Sequence, residues 1–138
     1  MFKRLSGEHK VEWYPKTAST AFTLGGLVDF ASGLLTPADA SSTIHVGIIL
    51  RAVVAADADY ADANEVPLDV PAPNDVFEVG VSAGTPVQAT HVGNTYDLDA
   101  TGALVDLTAA SAPVVRVVGI VNSTKILVKI NSMIGVTD

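Results

Sequence analysis

The chain has 138 residues, of which 49% are hydrophobic and 17% charged, and its net charge is −7. That length closes a hydrophobic core as one domain, and the composition excludes a disordered polar polymer. The absence of Cys excludes a disulfide framework, a thiol nucleophile and a Cys-based zinc site, and the acidic balance disfavours nucleic acid.

The charge is unevenly placed. Residues 1–16 carry four basic side chains against Glu8 and Glu12, a net +2 that leaves −9 on residues 17–138. The same segment holds the only Trp of the chain, so an extended N-terminal arm with its own partner is predicted over residues 1–16. Its candidate contact residues are Phe2, Lys3, Arg4, Lys10, Trp13, Tyr14 and Lys16. Residues 17–138 are predicted as a single β domain. A mean hydropathy of +0.39 with few charges predicts that part of the surface is covered by other chains. MFKR is followed by no apolar stretch of the signal-peptide kind, and PVVRVVGIV is too short to cross a bilayer, so no membrane partner is expected.

In chain order, residues 17–31 predict two short strands broken at Gly25-Gly26, and Thr36-Pro37-Ala38-Asp39 could open one helical turn. Residues 42–54 alternate with period 2, with Ile44, Val46, Ile48 and Leu50 on one face, which predicts a strong strand. Residues 55–75 read as a long acidic loop, since Pro67, Pro71 and Pro73 argue against a central strand. Residues 76–87 predict a strand with Phe77, Val79 and Val81 inward. Residues 89–98 and 103–107 predict two more around DLDATG. The final pair, 113–121 and 125–130, forms a hairpin about Asn122-Ser123-Thr124, with Val115, Val117 and Val121 on one face and Arg116, Lys125 and Lys129 turned outward. Short strands punctuated by turns, without a long amphipathic helix, predict an all-β fold, a small β-sandwich or barrel.

Chemical signals are sparse. DLDATG starts like a calcium loop, but position twelve is Thr108 where a bidentate Glu is needed, and both flanks read as strands. Asp starting a turn and Gly supplying a positive φ account for the same letters. The carboxylates of 57–69 match no cation-cage spacing. His9, His45 and His91 form no local ligand motif, and no phosphate loop, HExxH, nucleophile elbow or dinucleotide fingerprint occurs. No catalytic, cofactor or metal residue is assigned, and the chain is not expected to be an enzyme.

The runs GTPVQATHVGNTYDLDATGALVDLT and VVRVVGIVNSTKILVKIN resemble the C-terminal half of small tailed-phage proteins that decorate or cement the capsid. In that family a polar VGxTYDL…VDLT hairpin precedes a Val-rich strand and a closing TKILVK-like strand. The upstream GGLVDFASGLLTPADASS followed by HVGIILRAVV is similar to its strand-plus-VG module, so the likeness spans roughly residues 20–131. The resemblance implies a β-tulip-like domain made in the host cytoplasm and carried on the capsid exterior. It also implies that the domain binds the major capsid protein and its own copies, with trimers favoured, and stabilises the shell. A β-sandwich module recognising surface glycans, with or without calcium, is the competing expectation.

Overall fold

Alternating apolar residues set most of the strand positions, and the computed structural model, which describes residues 1–42 and 45–130, is nearly all β. In chain order the elements are β1 (Lys3–Ser6), β2 (Val11–Pro15), β3 (Leu27–Ala31), β4 (Leu34–Pro37), β5 (Gly47–Ile49), β6 (Glu65–Asp69) and β7 (Val76–Ala83). A single helical turn α1 (Gln88–His91) follows, then β8 (Thr95–Leu98), β9 (Val105–Asp106), β10 (Val115–Ile120) and β11 (Lys125–Ile130).

The strands form two sheets that pack together. The first has the order β1-β7-β11-β10-β8-β9, and β9 returns to pair with β7 in parallel, so five strands close a ring. β1 pairs with the first part of β7 and β9 with its last part. Phe77, Val79, Leu98, Val105, Val115, Val117, Ile126 and Val128 fill this ring. Each buried side chain of that size contributes about 1.5–3 kcal/mol.

The second sheet has the order β2-β6-β5-β3-β4, and a bridge between Lys16 and Leu35 draws its two ends toward each other. Phe22, Val28, Leu35, Ile49, Val66 and Leu68 form a buried cluster on it. Leu27 and Ile48 alternate to the other face and join the core of the first sheet, which is how the two sheets share apolar contact. Gly102 completes that junction. Its φ is +70°, Leu27 N–H donates to its carbonyl, and a Cβ there would lie 2.5 Å from the Ala38 carbonyl oxygen.

The sandwich-or-barrel expectation holds, as do the strand at 76–83 and the closing hairpin. DLDATG is a turn: Leu98 pairs with Val105 and Asp97 with Asp106 across it. Several details differ. Glu65–Asp69 is a strand between β2 and β5 despite Pro67. The Pro67 carbonyl accepts the Leu50 N–H, so the missing Pro N–H points to that same side, beyond the end of β5, and the ladder to β2 loses nothing. The strand expected over 42–54 shrinks to Gly47–Ile49 because the sheet is buried on both faces, and Ile44 lies outside the described residues. Residues 36–39 form no helical turn: Thr36 and Pro37 end β4 against Asp29 and Val28. Residues 88–91 make a helical turn rather than the start of a strand. A bulge at Val118 shifts the register of β10, so Val121 is exposed and Ile120 packs on the core instead.

Candidate functional site

Residues 1–16 are extended, as expected for an arm, but they pair with strands of their own chain: β1 with β7, and β2 with β6. The seven contact candidates therefore fall into two groups. Phe2 is buried and meets Phe77 edge to face, with ring centroids 6.5 Å apart. Arg4 forks onto Asp69, donating from Nε to Oδ2 at 3.1 Å and from Nη2 to Oδ1 at 2.7 Å, while Nη1 donates to Asp75. Its guanidinium carbon lies 5.0 Å from the Phe77 ring centroid. Burial disfavours the charged form of Arg4, but its hydrogen bonds to the Asp69 and Asp75 carboxylates outweigh it and hold the guanidinium above its ordinary pKa. Because Arg4 sits in the first sheet and Asp69 in the second, this pair ties the sheets together.

Lys16 is fully buried, at 0% exposure. Its ammonium donates to the carbonyl oxygens of Asp59 at 2.8 Å and Asp62 at 2.5 Å, with Tyr60 O at 3.4 Å. The carboxylate of Asp59 is held in turn by both terminal nitrogens of Arg51, which lowers its pKa to about 2. A lysine predicted as a surface contact is thus the anchor for the acidic loop. Sequence order hid this, because 43 residues separate Lys16 from Asp59.

Lys3, Lys10 and Trp13 face outward, and Tyr14 is half-buried. Lys10 lies 3.4 Å from Glu12, which also accepts the Tyr14 hydroxyl at 2.7 Å. The Tyr14 hydrogen bond lowers the Glu12 pKa and raises that of Tyr14. Tyr14 packs against Phe30, with centroids 5.4 Å apart. Trp13 remains 57% exposed and Val11, two residues earlier on the same strand face, 45% exposed. Arg4 and Lys16 are engaged by the body, while Trp13 and Val11 form an exposed apolar pair on the face of β2.

The carboxylates of the turn are already occupied. Buried Asp97 accepts from the Ser111 N–H and hydroxyl and from the Ala112 N–H. Asp99 Oδ1 accepts from the Thr101 N–H and hydroxyl and from the Leu104 N–H. These bonds do the work that a cation would otherwise do there. Among the described residues no cluster of His and carboxylates has metal-binding geometry.

One arrangement of hydroxyl, carboxylate and imidazole was invisible in the sequence. Buried His45 donates from Nδ1 to Asp29 Oδ1 at 2.6 Å, and the Ser42 hydroxyl donates to Asp29 Oδ2. The carboxylate stands between the other two, so Ser42 has no imidazole base, and the order is not that of an activated nucleophile. His45 Nε2 is buried and has no hydrogen-bond partner among the described residues. His91 Nδ1 accepts the Val87 N–H at 2.9 Å, a local staple of α1. Among the described residues no helix is long and apolar enough to cross a membrane. No family model matches the chain, and no curated protein matches its sequence.

Proposed function

We propose that this chain is a structural virion protein that binds the outer surface of a tailed-phage capsid and cements the shell lattice. Its partners would be the major capsid protein and further copies of itself, with trimers favoured. The observation that supports this is Trp13, the sole Trp, left in solvent beside Val11 on a strand that the body otherwise holds in place. Exposed aromatic side chains on rigid backbone are the residues that most often anchor protein interfaces. The anchored position also presents them at low ordering cost. Neither the buried histidines nor the filled carboxylates offer a competing chemistry, so the reading is one of surface attachment. Binding many equivalent sites on a shell lets modest contacts stabilise the assembled state by mass action.

Quantitative mass spectrometry of purified particles tests the proposal. A copy number comparable to that of the major shell protein is expected, and absence from particles overturns it. Added chain should also raise the temperature at which particles release their genome, and Trp13→Ala should abolish that rise.

A further inference from the structure

We infer that copies of this chain associate head to tail, the Arg116–Lys129 pair on the first sheet of one copy receiving the acidic Asp62 and Glu65 of the next. The inference does not rest on capsid binding, because both halves of the contact belong to this chain.

The first half is a departure from ordinary sheet design. Arg116 on β10 and Lys129 on β11 are direct cross-strand partners, so two cations stand side by side on the outer face of the ring. Like charges directly opposite one another destabilise a strand pair. The other strand lysines stand near carboxylates: Lys125 lies 3.4 Å from Glu78 and Lys3 stands opposite Glu78. In the like-charged pair Asp97–Asp106, Asp97 is satisfied by the Ser111 and Ala112 donors. Among the described residues neither Arg116 nor Lys129 meets a carboxylate. Arg116 Nη1 donates to the Gly93 carbonyl at 2.6 Å, which fixes the guanidinium and leaves its other donors for a partner. Val118, exposed beside Arg116 on β10, supplies apolar area next to the cations.

The second half is the loop anchored by Lys16. Asp59 and Asp57 are turned toward Arg51, but Asp62 and Glu65 are exposed, and neither side chain is paired with a cation among the described residues. Lys16 grips the Asp59 and Asp62 carbonyls and the Tyr60 hydroxyl donates to Ser19 O, so the two carboxylates are presented on held backbone. Preorganised groups lose less entropy on association. Two adjacent cations on the first sheet, and two exposed carboxylates at the entry to β6, meet no opposite charge among the described residues, and a second copy satisfies both. Such a contact is heterologous: it makes a ring where the rotation closes and a chain where it does not.

Sedimentation velocity on the full chain tests this, with circular dichroism confirming that each variant is folded. The wild type should self-associate with rising concentration. Arg116→Glu/Lys129→Glu and, separately, Asp62→Lys/Glu65→Lys should raise the dissociation constant at least tenfold. Asp62→Asn/Glu65→Gln should do the same without introducing a new cation near Lys16. Mixing the two charge-reversed variants should restore growth with the copies alternating, because the native contact and the reversed contact both form between them. The chain with all four reversals should regain self-association. Wild type that stays monomeric at its solubility limit overturns the inference, and so does association that the reversals leave unchanged.

Discussion

The Lys16 ammonium donates to the carbonyl oxygen of Asp59 at 2.8 Å, and the carboxylate of that same Asp59 is clamped by Arg51. One residue thus receives two cations, one on its backbone and one on its side chain, and the acidic loop is fixed from inside and outside at once. Replacing Lys16 with Met keeps much of the volume and removes the donors. The carbonyls of Asp59 and Asp62 then lose their partner, at about 1–3 kcal/mol for each buried acceptor. Lys16→Met should therefore lower the unfolding free energy by roughly 2–5 kcal/mol, measured by urea titration, and open residues 55–64 to limited proteolysis.

Asp59 titrates at about 2, well under its ordinary 3.8, chiefly because of the hydrogen bonds from Arg51. A carboxylate depressed in the folded state stabilises the fold above the unfolded pKa, and that contribution disappears as pH falls through the folded pKa. The window is therefore pH 4 down to pH 2. Across it the wild type should lose stability more steeply than Asp59→Asn, in which this contribution is absent at every pH. Equal slopes for the two proteins in acid denaturation would contradict the assignment.

Arg4 stands between Asp69 and Asp75, whose side chains are only 5% and 8% exposed. Truncating Arg4 to Ala leaves two buried carboxylates without their cation and should cost about 3–5 kcal/mol. Arg4→Lys should recover only part of the loss, because an ammonium cannot reproduce the two-pronged contact with Asp69. Thermal unfolding of the two variants beside the wild type reads the difference.

Trp13→Ala should behave in the opposite way. With more than half of its side chain in solvent, its removal should change stability by no more than about 0.5 kcal/mol. Capsid occupancy, followed by co-sedimentation with particles, should fall at least tenfold. A large stability loss with unaltered occupancy would make Trp13 a folding residue instead.

Much of this architecture could be read from the residues. Period-2 alternation placed Phe77, Val79, Ile126 and Val128 inward, and turn chemistry resolved DLDATG, because both signals are local. What escaped was decided at long range. Pro67 looked like a strand breaker until Leu50 was seen to donate to its carbonyl beyond the end of β5. Phe2, Arg4 and Lys16 looked like free anchors because their partners Phe77, Asp69 and Asp59 lie 43 to 75 positions away. The strand over 42–54 was overextended because burial on both faces of a sheet gives alternating apolar residues no preferred side. Among the aromatic candidates Phe2, Trp13 and Tyr14, only Trp13 stays mostly in solvent.

The pairing of β1 with β7 has a consequence for how the chain is made. Lys3 is matched with Glu78, so β1 leaves the ribosome 75 residues ahead of its mate. At ordinary translation speeds of about 5–20 residues per second that delay is roughly 4–15 s. During it the second sheet, drawn wholly from residues 11–69, is complete and available to shelter Phe2 and Arg4. A nascent chain cut short before β7 therefore leaves the backbone of β1 without its pairing partner.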